Sequence, residues 1–156
     1  MSTKLICPGL KTENIITIMY KFKQKTYSEG DKRVFIDFIC KLEGYKTRCK
    51  NLHWAAPKKN IHVYLDEFLD VISDYQDGLA EGYMGILGKM GPLDINGIGC
   101  NASNAMMFIE EVIEETKKFY GLIPEGTEFK GITSEAETFI QNCQKYHYLF
   151  GLCEVQ

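Results

Sequence analysis

The sequence predicts an all-α protein built from four long helices, and three observations carry that prediction. The chain has 156 residues, of which 45% are hydrophobic and 12% aromatic, which suits one domain with a substantial core. Its apolar residues recur at steps of three and four over four long segments, and this is the helical period. Glycine and proline are concentrated between those segments, where they interrupt helices.

The N-terminal region, residues 1–28, is predicted to be an arm that precedes the bundle. Residues 12–26 suit a short helix capped by Thr12, although their "ITIMYKF" also suits a strand. Residues 1–33 contain seven Lys and Arg against three acidic residues, whereas the whole chain has a net charge of −3. Ordinary solvated lysines explain this charge, and contact with a polyanion is the alternative.

The first two long helices are predicted to follow one another closely. The first spans residues 29–54, with Ser28 and Asp31 as capping residues, and it stops at the proline that follows. The second runs from residue 61 to about residue 86, with Asn60 as its N-cap. A connection of about six residues makes the two helices antiparallel neighbours.

The third and fourth helices lie beyond a glycine-rich linker. The third is predicted for residues 102–120, and the fourth begins at a capping box of Ser134 and Glu137. The linker of about 15 residues reaches about 50 Å when extended, whereas a 20-residue helix is about 30 Å long. Residues 29–156 therefore favour a bundle whose long crossover joins the second and third helices, with plain up-down-up-down order as the alternative.

The cysteines and the hydropathy of the sequence indicate the cellular compartment of the protein. The six cysteines include no Cys-x-x-Cys pair, so they are expected to be small buried residues in a reducing compartment. The first ten residues lack the apolar core of a signal peptide, and no window approaches the ~20 apolar residues of a membrane span. We therefore expect a soluble, cytoplasmic protein.

One face of the second helix carries an unusual set of polar residues. His62, Asp66, Asp77 and Glu81 follow at steps of 4, 11 and 4, so at about 100° per residue they share an arc of about 100°. This arc lies away from the apolar stripe. A charge run is usually a solvated face, but residues 60–88 contain no lysine or arginine to offset these acids.

The spacing of these residues predicts a site that is shared between two subunits. Asp66 and Asp77 are about 16 Å apart along the helix, too far to bind one ion together. If an identical helix packs antiparallel across a two-fold axis, His62 and Asp66 face the partner's acidic pair, and two sites form. Imidazole and carboxylate ligands suit iron(II), manganese or zinc. Val63, Val71 and Gly78 are expected to admit the partner helix.

These residues resemble a known family. The pair His53–Trp54, followed by His62-x3-Asp66-x10-Asp77-x3-Glu81, is similar to the Dps proteins, the ferritin-like miniferritins that protect DNA in starved cells. "KLEGYKTRCKNLHW" resembles that family's first bundle helix, and "SEAETFIQNCQKYHYLF" resembles its last. The resemblance therefore covers most of the chain. It implies a ferritin-like four-helix bundle with an iron site between two-fold-related subunits.

The resemblance also implies an activity. Members oxidise iron(II) with peroxide or oxygen and store the ferric mineral in a dodecameric cage, which protects against oxidative damage. It implies His53, His62, Asp66, Asp77 and Glu81 as metal ligands, with zinc or manganese as substitutes for iron. Trp54 is expected to be a buried anchor, with radical trapping as its alternative role. The modest basic arm predicts weak DNA binding at most.

Three departures from the family pattern bear on this expectation. The step of nine residues from His53 to His62 is shorter than the family's usual step. The family's Ala-Glu-Arg is Ala-Glu-Gly here, with Gly82 in place of arginine, and "AAPKK" replaces the usual Gly-Pro turn. The alternative function is therefore a Dps-like structural or interaction protein that assembles without oxidising iron.

Overall fold

The computed structural model describes residues 26–154, which form four long α-helices. These are α1 (Glu29–Ala55), α2 (Lys59–Leu87), α3 (Ala105–Leu122) and α4 (Lys130–Glu154). A 3-10 turn at Thr127–Phe129 precedes α4. No strand occurs among these described residues, which confirms the all-α prediction. The helix predicted for residues 12–26 lies, apart from its last residue, outside them.

The start of α1 agrees with its prediction. The hydroxyl of Ser28 accepts a hydrogen bond from the backbone N–H of Asp31 at 3.0 Å, and the Asp31 carboxylate accepts one from the backbone N–H of Ser28 at 3.0 Å. These reciprocal bonds satisfy two N–H groups that the first turn of a helix leaves without partners.

The starts of α2 and α4 differ from their predictions. The N-cap of α2 is Lys58 rather than Asn60, and its side chain makes no capping bond. Ser134 and Glu137 do not form a capping box, because α4 already begins at Lys130. Phe129 is buried to 1% exposure just before that point, so tertiary packing of the turn sets this helix start.

Aromatic rings fill the core between the helices. Phe68 on α2 is fully buried, and the centroid of its ring lies 4.9 Å from that of Tyr146, 6.1 Å from that of Phe108 and 6.4 Å from that of Phe139. It thereby joins α2 to α3 and α4. The cysteines of the described region are buried and unpaired, as expected. No helix within residues 26–154 is long and apolar enough to cross a membrane.

The helices pack around this core in a defined order. Both α1 and α4 pack mainly against α2 and α3. Phe35 in the second turn of α1 has its ring centroid 5.6 Å from that of Phe119 on α3 and 5.8 Å from that of Phe129 before α4. The start of α1, the end of α3 and the start of α4 therefore lie together.

The linker at residues 88–104 packs along α1. A Cβ atom built on Gly44 would lie 3.2 Å from Cγ2 of Ile98, so the linker approaches α1 closely at this glycine. One turn further along α1, Arg48 Nε donates a hydrogen bond to the carbonyl of Ala102 at 2.6 Å. The linker thus follows α1 toward its C-terminal end before α3 begins.

Two glycines of α2 predict opposite effects of alanine on stability. A Cβ at Gly82 would lie 3.0 Å from Cγ1 of buried Ile132, whereas a Cβ at Gly85 meets nothing within 4 Å. Gly85→Ala should raise the free energy of unfolding by up to ~1 kcal/mol through helix propensity. Gly82→Ala should lower it by ~1 kcal/mol, because overpacking outweighs the same gain. Urea denaturation of both variants measures this, and equal increases would contradict the close packing of α4 on Gly82.

Candidate metal-binding site

His53 and His62 meet across the turn between α1 and α2. His53 occupies the last turn of α1 and His62 the first turn of α2, and only residues 56–58 separate the two helices. Their ring centroids are 3.7 Å apart with an angle of 27° between the planes. The short nine-residue step therefore brings these two rings into contact.

Two reciprocal hydrogen bonds hold the histidine pair. His53 Nδ1 lies 2.9 Å from the carbonyl oxygen of His62, and His62 Nδ1 lies 2.9 Å from the carbonyl oxygen of His53. A ring nitrogen that faces a carbonyl must carry the proton, so each Nδ1 donates. In the neutral rings each Nε2 then keeps a lone pair, and this tautomer is the one that ligates metals through Nε2.

Asp66 lies next to this pair and already has a cationic partner. Its Oδ1 is 3.3 Å from Lys50 Nζ and 3.7 Å from His53 Nδ1. The Asp66 side chain is 59% exposed, so its carboxylate is accessible to solvent as well as to Lys50. Lys50 was not among the residues that the sequence singled out. The only feature of the sequence that indicates Lys50 is its position one helical turn before His53 on the same helix.

Asp77 and Glu81 lie farther along α2 and are exposed. No residue of the described region forms a hydrogen bond or ion pair with either carboxylate. His62 and Asp66 are exposed as well, which agrees with the predicted polar face. Within residues 26–154 of a single chain, no group of three or more His, Cys, Asp or Glu side chains is arranged to hold a metal. The two pairs are therefore separate in one subunit, as their spacing requires.

The nearby cysteine is not a candidate ligand. Burial raises the pKa of the Cys49 thiol to about 12, with the Asp66 charge adding to the same direction. The thiol donates a hydrogen bond to the carbonyl of Leu65 at 3.2 Å. Because thiolates rather than thiols bind metals, Cys49 contributes packing at neutral pH.

A buried glutamine on α2 forms hydrogen bonds with α1, and these two helices carry the candidate site. Gln76 is 9% exposed, and its amide donates to the carbonyl of Ile39 on α1 at 2.9 Å. Its amide oxygen accepts a bond from Lys46 Nζ at 3.0 Å. Buried amides with satisfied bonds define the register of the elements that they join. In the sequence, the feature that indicates this contact is the presence of a polar residue, Gln76, within the apolar stripe of α2.

One expectation about a neighbouring residue is wrong. Trp54 is 70% exposed rather than a buried anchor, because His53 takes the inward position and the next residue points about 100° away. Val71 and Gly78 line an open recess beside α4 of the same chain, and their role in admitting a partner helix stays a prediction. Val63 is 40% exposed and remains available to one.

No protein-family model, curated protein or solved structure matches this chain.

Proposed function

We propose that this protein is a Dps-like ferroxidase that binds iron(II) as substrate at sites shared between two-fold-related copies of the chain. Peroxide or oxygen oxidises the iron, and a dodecameric cage stores the ferric mineral. The observation that carries the proposal is the histidine pair: both Nδ1 atoms are bound to carbonyls, so in the neutral rings Nε2 of His53 and of His62 keeps its lone pair, and Asp66 Oδ1 lies 3.7 Å from His53 Nδ1.

The shared site follows from the separation of the two residue pairs on α2. His62 and Asp66 precede Asp77 and Glu81 by about three turns on one continuous helix. An antiparallel partner helix would bring each pair opposite the other and create two equal sites. Each site would combine imidazole with carboxylates, a mixed set that suits iron(II) and also accepts zinc or manganese.

The ferritin-like topology is part of the same proposal. The contacts of the linker with Gly44 and Arg48 support a crossover that travels along α1. The meeting of Phe35, Phe119 and Phe129 supports an up-down, crossover, down-up order, because it brings the end of α3 to the start of α1. Plain up-down-up-down order would instead bring the start of α3 there.

The remaining expectations complete the proposal. Trp54 follows His53 directly and is exposed, which supports a role as a trap for radicals formed near the iron. The unpaired cysteines of the described region support a reducing compartment such as the cytoplasm. Binding to DNA, if the N-terminal arm supplies it, is expected to be weak and salt-sensitive.

A Dps-like protein that assembles without oxidising iron is the second candidate. The observation in its favour is the ion pair between Lys50 and Asp66, which satisfies this carboxylate without a metal. In that case the partner's Asp77 and Glu81 would serve assembly alone. Lys50→Ala separates the candidates, because it should strengthen iron(II) binding only if Asp66 is a ligand.

Iron(II) oxidation followed by absorbance of the ferric product tests the proposed activity. The wild-type protein should oxidise iron(II) faster than buffer, and His62→Ala should lower the rate at least ~10-fold, because a ligand is lost. His147→Ala is the matched control, since it removes an exposed imidazole on α4. A wild-type rate equal to buffer would rule the activity out, and a native mass of one subunit would rule out the shared site.

A further inference from the structure

A groove of about 390 Å³ lies between the first half of α1 and the second half of α3. Val34 and Phe38 of α1 line it together with Phe119 and Leu122 of α3. The Phe38 and Phe119 rings stack with centroids 4.2 Å apart and planes 7° apart. Leu122 is 61% exposed. The groove therefore has apolar walls and a leucine that is largely uncovered.

The charged side chains that line the groove are already paired with one another. Arg33 Nε donates a hydrogen bond to Asp37 Oδ1 at 2.7 Å. Lys118 Nζ donates one to Glu115 Oε1 at 2.6 Å, and Lys41 donates one to the other oxygen of Glu115. Because each of these charges already has a partner, an apolar occupant suits the groove better than a charged one.

The sequence contains an apolar segment just before the described region. The residues that give this segment its helical pattern are Ile15, Ile18, Met19 and Phe22. At about 100° per residue they share an arc of about 100°, and Tyr20 lies about 150° from the centre of that arc. A helix of this length is only marginally stable in water and gains most of its stability when its apolar stripe packs on another surface. The segment therefore requires an apolar surface to pack on.

The described region begins at the end of the bundle where the groove lies. The Tyr27 ring packs on that of Phe129, with centroids 5.3 Å apart. Phe129 and Phe119 both contact Phe35, and Phe119 lines the groove. The segment therefore joins the bundle close to the groove.

The length of the segment matches the groove. Residues 23–28 connect the segment to α1, and a connection of this length makes two helices antiparallel neighbours. The groove follows α1 from Gly30 to Lys41, about 16 Å, and a helix over residues 15–22 is about 10 Å long. The short connection also keeps the segment at an effective concentration on the order of millimolar, which favours it over a separate protein.

We propose that residues 15–22 of this chain dock as a short helix in the groove between α1 and α3. The segment runs antiparallel to α1, so Phe22 packs on Leu122, and Met19 packs beside the stacked rings of Phe38 and Phe119. Its apolar stripe thereby covers the exposed leucine. This contact is independent of the proposed iron chemistry.

Photochemical crosslinking of the full chain tests the position of the segment. The photoreactive amino acid p-benzoylphenylalanine replaces Leu122, and mass spectrometry identifies the residues that it joins after irradiation. Crosslinks to residues 15–22 of the same chain are expected. The matched control carries the same amino acid in place of Leu152, a 47% exposed leucine of α4 outside the groove, and should give none to this segment. Crosslinks only between two chains would assign the groove to a second copy, and that result or no crosslink to residues 15–22 would overturn the proposal.

Thermal unfolding tests whether the segment and the groove stabilise each other. Leu122→Ala and Phe22→Ala should each lower the melting temperature by about 3 °C, because each removes apolar surface that docking buries. The double variant should lose little more than either single variant, since both changes remove the same contact. Fully additive losses would show that the two side chains do not meet and would overturn the proposal.

Two matched variants are the controls for thermal unfolding. Tyr20→Ala lies on the opposite side of the segment and Leu152→Ala on an exposed part of α4, so each should change the melting temperature by no more than about 1 °C. In a strand, side chains 20 and 22 would share one face, so equal losses in Tyr20→Ala and Phe22→Ala would contradict docking as a helix. A loss in Leu122→Ala no larger than that in Leu152→Ala would mean that the segment does not cover the groove.

Discussion

Two inactive variants of this protein are expected to recover about a quarter of the wild-type iron oxidation rate when they are mixed and reassociated. The first variant combines His62→Ala with Asp66→Asn and so loses one half of the site. The second combines Asp77→Asn with Glu81→Gln and loses the other half. Each alone should be inactive, because every site in its dimer contains one damaged half.

The recovery follows from the symmetry of an antiparallel pair. A mixed dimer contains one site made from both damaged halves and one made from both intact halves. Random reassociation of equal amounts makes about half of all dimers mixed, so about a quarter of all sites are intact. The measurement is the initial rate of iron(II) oxidation after dissociation and reassociation of the mixture.

A second mixture is the control for this experiment. His62→Ala mixed with Asp66→Asn should show no recovery above the two parent proteins, because both changes lie in the same half. If the first mixture also stays inactive while the wild-type protein regains its rate after the same treatment, the two halves do not meet across subunits. The shared site would then be wrong.

Phe68→Ala is expected to remove ~3–5 kcal/mol from the free energy of unfolding. The side chain has 0% exposure, and its ring contacts rings of α3 and α4. Its loss therefore leaves a cavity at the centre of the bundle. Because domains of this size are stable by only ~5–15 kcal/mol, the variant should unfold at a much lower urea concentration.

Met107→Ala is the matched control for the core variant. Met107 is 50% exposed on α3, so its truncation should change the free energy of unfolding by no more than ~0.5 kcal/mol. Chemical denaturation monitored by circular dichroism compares both variants with the wild-type protein. A loss below ~1 kcal/mol for Phe68→Ala would mean that the aromatic core is not where α2, α3 and α4 join.

The helices could be predicted because their determinants are local. A strict period of apolar residues and a Ser28–Asp31 box are visible in the sequence, and α1 begins where they indicate. The starts of α2 and α4 were not visible, because neither Lys58 nor Lys130 carries a capping signal. The start of α4 depends on the burial of Phe129, which is a tertiary contact.

The candidate site shows the same division between local and tertiary information. The exposed face of α2 could be predicted, because rotation per residue is a property of one helix. The contact of His53 with His62 could not be, since it depends on the path of the turn between two helices. Lys50 was missed because the packing of α1 on α2 decides which side chain of α1 reaches Asp66.

The reciprocal bonds between the two histidines restrict the movement of both rings. Each ring is tied to the backbone of the other helix, so neither ring can rotate without disturbing the junction of α1 and α2. Two ligands that are already held in place lose little conformational entropy when they bind an ion. At the proposed iron site, the same rigidity would disfavour any ion whose preferred bond lengths or angles require the rings to move, so the turn between α1 and α2 would set the selectivity.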